Sequence, residues 1–260
     1  MPRLGQSERL HQLLPQSWNV YDQSSARDYV VRPAVPILFF GNSERYFASP
    51  LKVITVGLNP SDAEFPSDDR FSRFPTIGKM VPDSAQREGS RYLAALNAYF
   101  CTNPYKDWFG SFEPILKGLD GSYYGRCSNT ALHTDLCSPI ATSPTWTKLS
   151  KEQRSLLESE GVTLWHSLVK ALIPDLIIVS IAERYLQQIK FRPLAARQVI
   201  WRLDRQRPYE VMGTLIEIQP SKVSLLVFGR AAQRPFGTVS NVKKAEMGAA
   251  IKEWHRGVSR

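Results

Sequence analysis

The feature that most restricts how this chain can fold is a recurrence of short, almost wholly apolar runs: VPILFFGN, KVITVGL and DLIIVSI, with amphipathic helical stretches between them. A run of roughly five to eight apolar residues bounded by turn residues reads as a strand buried on both faces. Strands of that kind belong in a sheet covered by helices, and their alternation with helices makes the sheet largely parallel. The expected fold is therefore α/β, a three-layer α/β/α sandwich with a central, largely parallel sheet. YEVMGTLIEIQ and KVSLLVFG supply two more strands. SERLHQLL, residues 7–14, reads as a short helix ended by Pro15. RYLAALNAYF, residues 91–100, puts Tyr92, Leu96, Tyr99 and Phe100 on one helical face. SKEQ, residues 150–153, is a capping box that opens a helix, and a second helical run over 164–173 stops at Pro174. AERYLQQI follows DLIIVSI as a helix, and Ser240 or Asn241 caps the last one. Residues 67–90 read as a charged surface loop. With no repeat and no low-complexity linker, residues 1–260 are expected to form a single domain, with residues 1–50 as an N-terminal extension packed on it.

Charge points to a partner. Lys and Arg number 33 against 24 Asp and Glu, a net +9, which favours a polyanion and nucleic acid first. The three cysteines form no C-x-x-C pair, so neither a zinc ribbon nor a four-thiolate cluster is available, and an odd count suits a reducing compartment. The N-terminus lacks the apolar run of a signal peptide, and no stretch approaches the ~20 apolar residues of a membrane span. The expectation is a cytoplasmic monomer that binds DNA, does not engage a membrane, and uses neither metal nor cofactor.

In open α/β sheets, ligands bind beyond the carboxyl ends of the strands. Three such ends carry polar residues here. The first is GLNPS, where Pro60 restricts Asn59 to an extended backbone and so fixes the direction of its side chain. An Asx turn that merely ends the strand is the structural alternative. The second is NTALHTDLCSP, whose alternation sets His133 and Asp135 on one side with Ala131 and Cys137. The third is the loop after Phe228. All three are expected to meet in one cleft. His11, His166 and His255 lie on helical segments and read as surface or half-buried residues. Lys243, Lys244, Arg256 and Arg260 give the last helix a basic face, and Tyr105, Trp108, Phe109 and Phe112 read as core.

In this order, a strand ending in GLNPS, an aromatic-bearing loop, a strand ending in TDLCSP, then DLIIVSIAERYL and a last strand with a loop resemble the uracil-DNA glycosylase superfamily, from about Lys52 to the C-terminus. GLNPS is similar to the Gly-x-Asn-Pro-Gly motif of the mismatch-specific and single-strand-selective branches. The resemblance implies a monofunctional DNA glycosylase that flips a nucleotide from the stack and hydrolyses its N-glycosidic bond. It implies that Asn59 positions the attacking water and that an aromatic residue about a dozen positions later stacks on the base: Phe71, with Phe65 as its rival. No lysine stands at the motif positions to form a Schiff base.

Three departures from the family pattern bear on the substrate. Related enzymes read the base with an asparagine on the second strand, where this chain has Asp135, or His133 if the register slips by two. An ionised aspartate only accepts hydrogen bonds, which suits the amino group of cytosine and not the 4-carbonyl of uracil. Ser61 replaces the tyrosine that blocks the 5-position in the classical uracil enzymes, leaving room for a bulky 5-substituent. The last motif lacks its histidine; RAAQRPFG offers Arg230, Gln233 or Arg234 to stabilise the departing base or to grip DNA phosphate, with Arg234, Pro235 and Phe236 as a wedge into the helix. Two substrate classes stay open: uracil or a damaged pyrimidine in repair, or a hydroxymethylated or glucosylated cytosine of phage DNA in antiviral defence. A glycosylase-like fold that binds nucleic acid without cutting is the alternative of another class.

Overall fold

The computed structural model describes residues 5–77, 90–125, 127–230 and 233–258. Nine helices lie among them: α1 (Gln6–His11), α2 (Leu14–Ser24), α3 (Ser43–Ala48), α4 (Ser90–Ala98), α5 (Lys106–Phe109), α6 (Glu113–Gly118), α7 (Lys151–Leu172), α8 (Glu183–Leu186) and α9 (Asn241–Val258). The strands are β1 (Val53–Gly57), β2 (Gly121–Ser122), β3 (Asn129–Thr130), β4 (Leu132–Asp135), β5 (Leu176–Val179), β6 (Arg192–Pro193), β7 (Gln198–Leu203), β8 (Tyr209–Gln219) and β9 (Lys222–Gly229). The architecture is mixed α/β, with a central sheet flanked by helices and parallel through its middle strands. The chain divides into two compact units, each assembled from three separate segments.

The first unit contains residues 1–42, 57–105 and 133–172. Here α1 and α2 pack on the long helix α7. The two helical runs expected here form one helix, α7, of 22 residues. Its expected capping box is present: Ser150 N–H donates to Gln153 Oε1 at 2.8 Å, and Gln153 N–H donates to Ser150 Oγ at 3.2 Å. Pro15 does not end the first helix but opens α2, near whose N-terminus a missing N–H leaves no intrahelical bond unmade. The expected strand VPILFFGN is buried and extended without forming a regular strand. Pro33 and Pro36 remove donors, and its pairing reduces to single bridges such as Phe40 to His133.

The second unit contains residues 43–56, 106–132 and 173–260. In it β5 pairs in parallel with both β1 and β9, and all four residues of β5 are buried, as its unbroken apolar run requires. β8 then runs antiparallel to β9, with β6 and β7 both antiparallel to β8. β7 was not read from the sequence, because QVIWRL is largely exposed and its apolar residues do not mark a buried face. Helix α9 packs on α6 and β7, and its cap is Ser240, whose carbonyl accepts from Lys244 N–H at 2.8 Å.

No helix among the described residues is long and apolar enough to cross a membrane.

Candidate functional site

The loop leaving β1 is laced to the segment leaving β4. Gly57 O accepts from Leu136 N–H at 3.0 Å, Leu58 O from Cys137 N–H at 2.9 Å, and Pro60 O from Thr142 N–H at 3.3 Å. The N-terminal segment braces this pair from another side, since Val31 N–H donates to Ala141 O at 3.0 Å and Ile37 N–H to Pro139 O at 2.7 Å. Helix α7 presses on the same segment through Gly161, where a Cβ would collide with the Cys137 carbonyl. The backbone under Asn59 is thus held by three stretches of chain.

Asn59 is half-buried, and its amide nitrogen is committed. Nδ2 donates to Pro60 O at 2.7 Å, to Thr142 Oγ1 at 2.9 Å and to Ile140 O at 3.1 Å. Two of these acceptors are carbonyls, so only the nitrogen can face them, and the orientation of the amide is dictated. The nitrogen therefore closes the turn, whereas in an Asx turn Oδ1 would accept from the backbone N–H two residues on. This anchoring also fixes Oδ1, which has no hydrogen-bond partner among the described residues. Thr142, fully buried, and the Ile140 carbonyl were not expected as partners.

His133 and Asp135 stand on one side of β4, as the alternation required. His133 is 1% exposed and Asp135 8%, with Nε2 and Oδ1 3.7 Å apart. Gly57 makes room for both: a Cβ there would run into the Asp135 carboxylate and come within 3.0 Å of His133 Nε2. Ser61 is half-buried, and its hydroxyl caps the 3-10 turn Asp62–Glu64 by accepting from Ala63 N–H at 3.2 Å. Phe71 is half-exposed, its ring edge-on to Phe65 at 6.2 Å. Phe65 is fully buried and stacked on Phe74 at 5.5 Å, so it is not a free platform.

Sequence reasoning missed Glu64. This carboxyl is 3% exposed, and its Oε2 accepts from the Tyr99 hydroxyl at 2.5 Å. Burial pushes it up to about 8; the Tyr99 hydrogen bond and the Arg73 cation oppose that rise, and the charge of Asp135 adds to it. Arg73 also ties the loop, donating to Ala63 O at 2.8 Å. A lone glutamate in a stretch that reads as loop carries no periodic signal of burial. The buried face containing Tyr99 was legible, but the partner of its hydroxyl was not.

Among the described residues, Asn59 Oδ1, Glu64 Oε1 and the Asp135 carboxylate have no hydrogen-bond partner, and Glu64 and Asp135 are buried. No group of three or more His, Cys, Asp or Glu among the described residues could hold a metal ion.

The third expected component lies in the second unit. Arg230, Gln233 and Arg234 are exposed. Arg234 lies 3.9 Å from Asp107, and Arg205 of the turn between β7 and β8 donates to Thr238 O at 3.0 Å, adding a cation to this loop. Phe236 is not an exposed wedge. It is fully buried against Phe112, with its N–H donating to Ser180 Oγ at 3.0 Å, because Pro235 and a left-handed Phe236 (φ 50°) turn the ring inward. Lys244 is likewise not part of a solvated basic face. It is 3% exposed, and its Nζ donates to Ser111 O and Pro235 O at 2.9 and 3.0 Å. The same unit holds a mainly apolar cleft of about 320 Å³ lined by Phe191, Arg197, Ile216 and Phe228 among others, and none of the expected site residues lines it.

Compared with models of known protein families the chain finds no match, and compared with curated proteins it finds none either.

Proposed function

We propose that this protein is a monofunctional DNA glycosylase that hydrolyses the N-glycosidic bond of a flipped pyrimidine, with a 5-substituted cytosine as substrate. The observation that carries the reading is the state of Asn59. Its nitrogen is anchored by three acceptors, and its oxygen has no partner among the described residues, at the end of a strand. Cleavage through an oxocarbenium-like sugar needs a water held in place more than it needs a strong base, and a fixed carbonyl oxygen can hold one by accepting a hydrogen bond from it. Asp135 favours cytosine, because a carboxylate accepts from an exocyclic amino group. Phe71 supplies a half-exposed ring for the base, and Ser61 leaves the 5-position open. Arg230, Gln233 and Arg234 grip phosphate. A hydroxymethylated or glucosylated cytosine would make the activity a defence against phage DNA; release of uracil alone would make it a repair enzyme.

A second reading has support in the same residue. The clamp on Asn59 also closes a turn, which a non-catalytic nucleic-acid-binding protein would keep. Incubation with oligonucleotides carrying uracil, cytosine or 5-substituted cytosines, followed by alkali, separates the two. The glycosylase reading expects strand breaks at modified cytosine with wild type and none with Asn59→Ala. Equal DNA binding by both proteins with breaks from neither selects the binding module.

A further inference from the structure

Glu64 is a buried ionisable group to which the roles above give no task. Its surroundings fix its hydrogen-bond direction. The Tyr99 hydroxyl accepts from Tyr105 N–H at 2.9 Å and therefore turns its own proton to Glu64 Oε2. Oε2 is thus an acceptor, and a proton on the carboxyl belongs on Oε1, which has no hydrogen-bond partner among the described residues. The Tyr99 ring packs on Phe40 at 4.7 Å, and Phe40 packs on His133 at 5.7 Å, so one continuous stack links Glu64 to the strand that carries Asp135. Two carboxyl groups in one unit sit in different surroundings: Asp135 is flanked by a histidine, and Glu64 receives a phenol in a buried shell. Burial favours the neutral form of a carboxyl, which is the form a general acid needs.

We propose that Glu64 is the general acid that protonates the departing base. This rests on the glycosylase reading. The water oxygen held by Asn59 bonds to C1′ while the bond from C1′ to the base nitrogen breaks, and that electron pair leaves with the base. The Glu64 proton passes to the base on its Watson–Crick edge, so the base departs neutral. The attacking water gives up a proton to solvent, and solvent reprotonates the Glu64 carboxylate. The products are a free base and an abasic sugar bearing a hydroxyl, with no other reactant needed. Cytosine leaves as a more basic anion than uracil, so an acid matters most for the substrate that Asp135 favours. The acid takes over the work of the histidine absent from the last motif. A carboxyl that titrates near 8 is protonated at neutral pH and close enough to it to give up its proton, which is where general acids act best. Among the described residues, the charged and titratable groups facing it are Tyr99, Arg73 and Asp135.

The test is the pH profile of single-turnover base release. For wild type, the rate falls above a pH near 8 through one ionisation. Glu64→Gln, which keeps the shape and can still bond to Tyr99, is slower on the order of 100-fold and lacks that falling limb. Its defect shrinks on bases that leave as stable anions, such as uracil or 5-fluorocytosine. Tyr99→Phe removes a hydrogen bond that favours the ionised form, so its falling limb moves to higher pH. A merely structural Glu64 would move none of these. Base release by wild type, with Glu64→Gln keeping the wild-type profile and an equal loss on every base, overturns the role of Glu64 alone. No base release by wild type, with DNA binding intact, overturns the glycosylase reading and this proposal with it.

Discussion

Thr142 makes Asn59 more than a turn residue at the scale of single side chains. An amide with a free rotor spends its time in several orientations, and only one presents oxygen to a water. Three acceptors around Nδ2 remove that freedom before any substrate arrives, at distances of 2.7–3.1 Å. The Thr142 hydroxyl is the one of the three that a substitution can remove without touching the backbone. Thr142→Val keeps the volume and the buried methyl. It should lower stability by about 1 kcal/mol, the usual worth of one hydrogen bond, with a further penalty for any N–H left unpaired. Base release should fall about tenfold while DNA affinity holds, because orientation is lost and binding is not. Thr142→Ser should restore both. Single-turnover kinetics and urea midpoints on the three proteins read this out; wild-type kinetics in Thr142→Val would show that the two carbonyls suffice. Asn59 could be singled out from the sequence because proline restrains its backbone. Thr142 could not, because its partner lies 83 positions away and neither residue marks the other.

Helix α7 was legible in outline, from its capping box to the proline beyond its end. Its continuity was not, because Gly161 in mid-helix reads as a weak point. The structure gives that glycine a purpose in packing. With no Cβ, the helix backbone approaches the Cys137 carbonyl, and through it the segment that carries Ile140 and Thr142. Gly161→Ala therefore sets two effects against each other. Alanine gains ~1 kcal/mol of helix propensity, while a Cβ at the Cys137 carbonyl forces the elements apart at a cost of ~1–3 kcal/mol. The close approach is to backbone, which cannot swing aside, so the collision should win. The urea midpoint should fall, and the site should lose activity although no site residue has changed. A midpoint above that of wild type would mean that helix and segment can separate freely. Strands β1, β5 and β9 were readable for the opposite reason: burial on both faces leaves an unbroken apolar run. The edge elements β6 and β7 are exposed and leave no such mark.

Across the whole molecule, stability and function draw on the same buried carboxyls. The sequence made Asp135 visible through the alternation of its strand. Glu64 stayed hidden, since nothing in a loop announces which charge folding will cover. Its burial has a consequence for pH that does not depend on any substrate. The folded protein holds this proton up to about 8, whereas an unfolded chain releases it near the ordinary glutamate value of 4.5. Between those limits the folded state binds the extra proton, so stability is fully present below the unfolded value and is lost as pH rises through the folded one. Glu113, also raised chiefly by burial, adds a contribution of the same sign. At ~1.4 kcal/mol per unit of displacement, Glu64 alone should withdraw a few kcal/mol between mildly acidic and mildly alkaline pH. Urea midpoints from pH 5 to pH 9 should therefore decline for wild type and level off above about 8. Glu64→Gln carries no titrating proton and keeps an acceptor for Tyr99, so its curve should be flatter and should cross above wild type at alkaline pH. Parallel curves for the two proteins would mean that Glu64 ionises as freely in the folded chain as in water, and its assignment as an acid at neutral pH would then have no physical basis.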